Sequence, residues 1–406
     1  MRRAYAFIIL SSAGVACFSV VDVVYFTAAG YTLAFVGLMT AAFNLAVAAS
    51  ELPFAVLFDR YSTKLALQAG NLIRMVAFAL FFLNLSPETL ILAQVLAGLG
   101  VAATSGTANA LVVNEIQSTT SDAMAAAFGR ISYLVAAAGI VGGVVGVVLY
   151  SVEPRAIWLG AIGFFLAAAA VIFGFRDTRA ERPEDSWRQY GAKVLRVVRM
   201  PAALLLVLAN ASAVAPFLLW QVKFDSYSIG FVLVGYLILN GATFLGPLLM
   251  SRFRVRTAHV AAVAIANVAA VVAFGLATEV WSIAISFFVH VMLHVVLVAL
   301  ASGLFHSGVE NSVRATAGSA ISLADSLVVA ALAPLVGWIG QSFGLGWGIA
   351  VSCVTYVLVA LLSLSRRNRA AARAAARAED AAEHAAEDAA DAAAKGMTDD
   401  SAEGRA

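Results

Sequence analysis

Long apolar runs alternate with short polar breaks along most of this chain. Each run is close to the 20 residues that an α-helix needs to cross the hydrocarbon layer of a bilayer. Twelve spans are predicted. The first six cover roughly residues 5–27, 33–57, 65–84, 89–112, 128–150 and 155–175. The second six cover roughly 201–221, 229–250, 257–277, 280–303, 316–338 and 345–364. Turn signals fall between them at Ser86-Pro87-Glu88, Glu153-Pro154, Asp225-Ser226 and Gly344-Leu345-Gly346. Lipid offers no partner to a backbone N–H or C=O, so an open chain crosses it as helix. The pattern therefore predicts an all-α integral membrane protein. The first run follows Arg2 and Arg3, as a signal peptide would. It is too long for one, carries Asp22 and leads into eleven more spans, so it is read as a retained helix.

Composition agrees with the pattern. The 406 residues are 62% hydrophobic and 12% charged, with a mean hydropathy of +0.90. Soluble domains run near half apolar and a quarter charged. The net charge of +2 gives no field that would attract nucleic acid. Cys17 and Cys353 each sit inside an apolar run, which suits small core residues rather than a disulfide or a metal site.

Charge becomes informative by position. With a cytoplasmic N-terminus, only Arg155 and Lys223 of the bases fall outside. Arg60, Lys64, Arg252, Arg254, Arg256 and the row from Arg176 to Arg199 fall inside. This is the positive-inside distribution, and it predicts a multi-pass protein of the plasma or inner membrane with both termini in the cytoplasm.

The longest polar connection, 177–200, divides the chain into a six-helix unit over 1–176 and another over 201–365, followed by a tail over 366–406. The halves echo one another: Arg60 and Arg252 follow the second and eighth spans, with Lys64 and Arg256 four residues later. A parallel six-helix repeat is the layout of a large transporter class whose site lies between the halves near the midplane. The tail is alanine-rich. Arg369, Arg373 and Arg377 precede Glu379, Glu383, Glu387 and Asp391 at four-residue spacing. Base before acid opposes a helix dipole, and anionic headgroups near the bases would account for the order; a solvated tail without a specific partner is the plainer reading.

The connection after the second span reads Ala55-Val56-Leu57-Phe58-Asp59-Arg60-Tyr61-Ser62-Thr63-Lys64. It resembles the signature loop of the major facilitator superfamily, roughly Gly-x-Leu-x-Asp-Arg-x-Gly-Arg-Lys. Leu57, Asp59, Arg60 and Lys64 match, while Ala55, Ser62 and Thr63 depart from it. Glu51-Leu52-Pro53 is similar to bacterial drug-efflux-like members, and Ser105 to Ala110 and Arg314-Ala315-Thr316 also fit. The resemblance covers residues 1–365 and implies twelve helices in two pseudo-symmetric six-helix bundles. It implies secondary transport by alternating access, with proton-coupled efflux of a drug-like or metabolite substrate ahead of metabolite uptake. It also implies a latch between the halves. Asp59 would meet the free N–H groups that open the eleventh helix near Arg314. Arg60 would pair with Glu115, with Arg130 and Lys64 close by.

Two departures bear on mechanism. Drug–proton exchangers of this family often carry Arg-x-x-Gln-Gly on the fourth helix, where this chain has Gln94-Val95-Leu96-Ala97-Gly98. A Gly-Pro-x-x-Gly-Gly stretch on the fifth is replaced by Gly139-Ile140-Val141-Gly142-Gly143-Val144-Val145-Gly146, without proline.

Ionisable groups at membrane depth are costly and are functional candidates by default. Asp325, in the middle of the eleventh span, is the leading proton site, since a carboxyl group in an apolar setting can load and release protons near neutral pH. His290 and His294, one turn apart on the tenth span, are candidate partners. Asp22 and Glu51 are candidates in the first half, with Pro53 next to Glu51 set to kink its helix. All five also suit hydrogen bonding between helices. Tyr25, Asn44, Asn109, Tyr133, Asn210, Trp220, Tyr236 and Asn240 are the candidate lining of a cavity of mixed polarity.

Other classes fit less well. His290-Val291-Met292-Leu293-His294 has the histidine spacing of zinc proteases but lacks their glutamate, and no phosphate-binding glycine loop occurs. No enzyme activity, cofactor or metal is expected. The expected partners are a small molecule, protons and the bilayer, with the chain acting as a monomer. A transporter-like sensor that binds without moving its ligand is the remaining alternative.

Overall fold

The computed structural model describes residues 2–61, 63–115, 121–174, 187–253, 259–307, 309 and 314–364. Among them the first half forms α1 (Arg2–Ser19), α2 (Asp22–Ala28), α3 (Leu33–Tyr61), α4 (Thr63–Leu83), α5 (Pro87–Glu115), α6 (Ser121–Val152) and α7 (Ala156–Phe173). A connecting helix α8 (Trp187–Val198) follows. The second half forms α9 (Pro201–Ala211), α10 (Val214–Asp225), α11 (Ile229–Phe253), α12 (Val260–Leu276), α13 (Val280–Ser307), α14 (Arg314–Phe343) and α15 (Leu345–Ser363). No strand occurs among the described residues. Eleven stretches are long and apolar enough to cross a membrane, counting α1 with α2 and α9 with α10 as one each. With the shorter apolar helix α12 they make twelve crossings, in the predicted order.

The first crossing is interrupted at Val20–Val21 and the seventh at Ser212–Ala213. The two breaks lie 192 residues apart (20 to 212), as do Arg60 and Arg252 (60 to 252), so the repeat seen in the charges is also a repeat of backbone shape. The seventh break has a local cause. Pro216 has no N–H to give the Ser212 carbonyl, and the Ser212 hydroxyl turns back to the Leu208 carbonyl at 2.7 Å. The first has no proline or glycine at the break and is bonded from the opposite half by Gln221.

Within the first half α1 packs on α6 and α7, and α4 packs on α5 and α7; within the second, α12 packs on α13 and α15, and α11 on α13. The two six-helix bundles meet where α14 lies along α3, where α11 touches α6 and where α10 touches α2. Lipid tails are as apolar as leucine, so such helices associate through close packing rather than through the hydrophobic effect. The glycine row of α6 serves this. Gly142 and Gly146 sit against the backbones of Ala13 and Cys17, where a Cβ has no room. Across the bundles Gly37 meets Ala333 and Pro334, and Gly337 meets Leu33 and Ala34. Leu72, Ile285 and Leu361 face outward, and Trp281 and Trp347 stand exposed near the starts of α13 and α15, where indoles suit a membrane–water boundary.

Several boundaries differ from the sequence reading. α3 continues to Tyr61 through Pro53, so Asp59 and Arg60 belong to the last turns of a helix rather than to a loop. α6 begins at Ser121, about two turns before the predicted 128. The connection 177–200 contains α8, a strongly amphipathic helix that packs on α14. Cys17 is buried and Cys353 partly so, both as free thiols. The tail beyond Leu364 lies outside the described residues.

Candidate functional site

Gln221 of α10 closes one end of the interface between the bundles. Its Nε2 donates to the Ser19 carbonyl and to Asp22 Oδ1, both at 2.8 Å. Its Oε1 accepts from Val23 N–H at 2.9 Å. Val23 N–H also reaches Asp22 Oδ1 at 2.9 Å, in the first turn of α2. One amide side chain from the second half thus bonds both sides of the break in the first crossing. Nearby, Ala34 N–H donates to Gln341 of α14 at 3.4 Å, beside the Gly37 and Gly337 contacts. Asp22 therefore sits in a closure between bundles. Gln221 was missed as a site residue, because a single glutamine in an apolar run carries no signal until its partner is known.

A cavity of about 410 Å³ runs along α1 and ends at Ser19, directly beneath this closure. Its polar lining includes Ser11, Ser12, Arg74, Thr104, Tyr236 and Asn240. Tyr236 and Asn240, predicted as cavity residues, bring α11 of the second half into the wall. The Tyr236 ring lies on Gly143 of α6, where any side chain would collide with it. Arg74 was not predicted, although it is a base in the middle of the third span. Counting bases only in the connections hid it. Its Nη2 donates to the Thr104 hydroxyl and to the Gly100 carbonyl, the latter at 3.2 Å, and its guanidinium lies 5.2 Å from the centre of the Phe165 ring.

Asp325 lies on α14 and accepts from Asn210 Nδ2 of α9 at 2.7 Å. Its other oxygen, Oδ1, is enclosed without a protein partner. One turn earlier on the same face of α14, Ser322 faces Glu51 of α3 across the bundle interface. Glu51 Oε2 is likewise enclosed and unpartnered. A single turn of α14 thus presents a serine to one carboxyl group and carries another.

The two histidines stand elsewhere. His290 Nδ1 bonds Asn267 Oδ1 of α12 at 2.7 Å, and His294 Nδ1 bonds the Tyr356 hydroxyl of α15 at 3.1 Å. Phe217 packs against both rings. They form a buried cluster inside the second bundle, and the partner that Asp325 takes is Asn210 rather than either of them.

The remaining predicted residues divide. Tyr25 and Trp220 are buried in aromatic packing, Tyr25 against Trp158 and Trp220 against Phe287. Asn44 bonds the carbonyl one turn back, at Thr40. Tyr133 is exposed and meets Phe244 of α11 edge-on at 5.2 Å. Lys64 donates to the Phe173 carbonyl at 2.9 Å, and Arg3 reaches the neighbouring Gly174 carbonyl, so two bases sit at the C-terminal end of α7 where unpaired carbonyls gather. Arg130 is exposed on α6. Asp59, Arg60, Asn109, Glu115 and Arg314 have helical backbones, and their side chains lie outside the described ones.

The family model described as Major Facilitator Superfamily matches residues 4–331. No curated protein matches the sequence. Solved structures share the fold at low identity. The nucleoside transporter NupG has a TM-score of 0.69 at 13% identity, covering 93% of this chain and 99% of its own. A POT family transporter in complex with 5-aminolevulinic acid has a TM-score of 0.70 at 10% identity, covering 89% and 94%. A bacterial homolog of the human lysosomal transporter Spinster, inward-facing and occupied, has a TM-score of 0.66 at 15% identity, covering 92% and 96%.

Proposed function

The chain belongs to the major facilitator superfamily, and from that premise we propose that this secondary transporter exports a small molecule in exchange for protons, with Asp325 as the residue that carries the proton. The observation behind this reading is the turn of α14 that holds Asp325. The carboxyl group lies within a membrane crossing, keeps one oxygen free of protein partners, and sits one turn from the serine that faces Glu51 in the other bundle. A carboxyl group one turn from the contact between bundles can change its protonation as its surroundings open and close, which is what coupling requires.

In this reading both termini face the cytoplasm, because the bases gather in the connections on that side. The Gln221–Asp22 closure is then the outer gate, and the cavity beneath it opens inward. Asp59, Arg60, Glu115 and Arg314 form the inner latch that makes and breaks as the bundles rock. Export is the direction that the Glu51-Leu52-Pro53 segment favours, and the transporter works as a monomer in the cell membrane. The test uses the full chain in liposomes with an imposed pH gradient and a panel of cationic dyes and small metabolites. Wild type accumulates its substrate against the gradient, and Asp325→Asn lets it equilibrate without accumulation. Full accumulation by Asp325→Asn in folded protein overturns the assignment.

A further inference from the structure

We propose that Arg74 is the anion-binding residue of the cavity, and that the molecule carried is an organic acid with a carboxylate head and an apolar body. This rests on the transporter reading above and narrows its substrate class.

The first ground is charge balance. Arg74 stands midway along α4, in a membrane crossing, and lines the cavity. Both of its hydrogen bonds leave from Nη2, to the Thr104 hydroxyl and the Gly100 carbonyl. These are neutral acceptors, and no carboxylate pairs with the guanidinium among the described residues. Nε is enclosed with no partner at all. A guanidinium is always charged, and leaving one unpaired at membrane depth is costly. The absent counter-charge is most simply one that arrives with a ligand.

The second ground is the wall around it. Ser11 Oγ, also on the lining, is enclosed and unpartnered. Asn71, one turn before Arg74 on the same face of α4, is fully buried with neither amide atom bonded. These are polar groups held without partners inside one bundle. The apolar part of the lining includes Phe7, Ile8, Val15 and Val135 on α1 and α6. A volume of about 410 Å³ is in the range of small-molecule sites. One cation, a few hydroxyl and amide groups and an apolar wall match an acid head on a hydrophobic body.

The third ground is that the arginine is held in place. Gly100 lets the Arg74 stem cross α5, since a Cβ there would strike Arg74 Cγ, and the Phe165 ring stacks beneath the guanidinium. The fork is fixed before a ligand arrives, which lowers the cost of binding.

The probes are naphthoate, naphthamide and naphthamidine, matched in shape and differing in charge. Each is added to the detergent-purified full chain, and affinity is read from the rise in the thermal midpoint without any proton gradient. Wild type is stabilised by the acid and not by the amide or amidine. Arg74→Gln binds the acid at least about tenfold more weakly, and Arg74→Lys keeps the acid preference with reduced affinity. Equal shifts from all three compounds overturn the proposal. So does an acid shift that survives in Arg74→Gln, or no shift with the acid in wild type. If Arg74→Gln fails to fold, the wild-type ranking and Arg74→Lys still decide. Because this reads binding alone, its failure leaves proton coupling at Asp325 standing, and the failure of Asp325→Asn to uncouple leaves this result standing.

Discussion

The two bundles both bury ionisable side chains, and they surround them differently. In the first, Arg74 borders an open cavity and its Nε has no partner. In the second, His290 and His294 are each tied to one side chain, Asn267 and Tyr356, and walled in by Phe217 and Phe287. A position at membrane depth does not separate these cases. Nor does an unpartnered atom, since His290 Nε2 and Asn267 Nδ2 are enclosed without partners as Arg74 Nε is; what separates them is that Arg74 lines a cavity while the histidines are packed among aromatic rings. The histidines read as internal bonding of a bundle that moves as a unit, and the arginine reads as a place where something binds. Asp325, like His290, has one polar atom bonded and the other enclosed without a partner, but it lies on α14, the helix that runs along α3 of the first bundle.

Substitutions can break that contrast, and the largest effects belong to the moving parts. Asp325→Asn is expected to abolish gradient-driven accumulation. Asp59→Asn is expected to abolish transport while leaving membrane insertion intact, measured as transport per inserted molecule; normal cycling would remove Asp59 from the latch. Gln221→Leu takes away both sides of the bonding across the first crossing's break. With Cys17 and Cys353 replaced by alanine, a Ser19→Cys reporter in this variant is expected to react with an external thiol reagent faster by on the order of tenfold, since hydrogen bonds worth about 1–3 kcal/mol are lost. An unchanged rate would show that the glycine contacts alone hold that end. Asn267→Leu probes the histidine cluster. It is expected to cost about 1–3 kcal/mol of stability by stranding His290, with accumulation per folded molecule unchanged. A coupling defect there would move the histidines from scaffold to function. Tyr133→Ala, at an exposed aromatic contact, is expected to cost about 0.5–1.5 kcal/mol and little transport.

The fold was largely legible because the bilayer imposes one helix length and one way to satisfy the backbone. The apolar runs, the charges between them and the Arg60–Arg252 echo gave twelve crossings in two halves. Features made by contact between distant segments were not legible. Val20-Val21 carries no breaker, and the groups flanking its interruption are bonded by Gln221, which is 200 residues away (21 to 221). The break at Ser212 was readable in principle, four residues before Pro216. Tyr236 and Asn240 line the cavity along α1, whereas Tyr25 and Trp220 pack into the core, since an aromatic residue in an apolar run looks the same in either place. Arg74 was legible as a base inside a span and was passed over because only bases in the connections were counted. Two of the three acids inside the crossings were placed at contacts between bundles, Asp22 with Gln221 and Glu51 facing Ser322, while Asp325 met Asn210 within its own bundle.

The most direct test of proton coupling at Asp325 is proton release from the purified protein on adding a transported compound. It is measured in weakly buffered solution with wild type, Asp325→Asn and His290→Gln side by side. Wild type and His290→Gln are predicted to release protons on binding, and Asp325→Asn to release none. Release that persists in Asp325→Asn but disappears in His290→Gln would contradict the account, placing the proton in the histidine cluster instead.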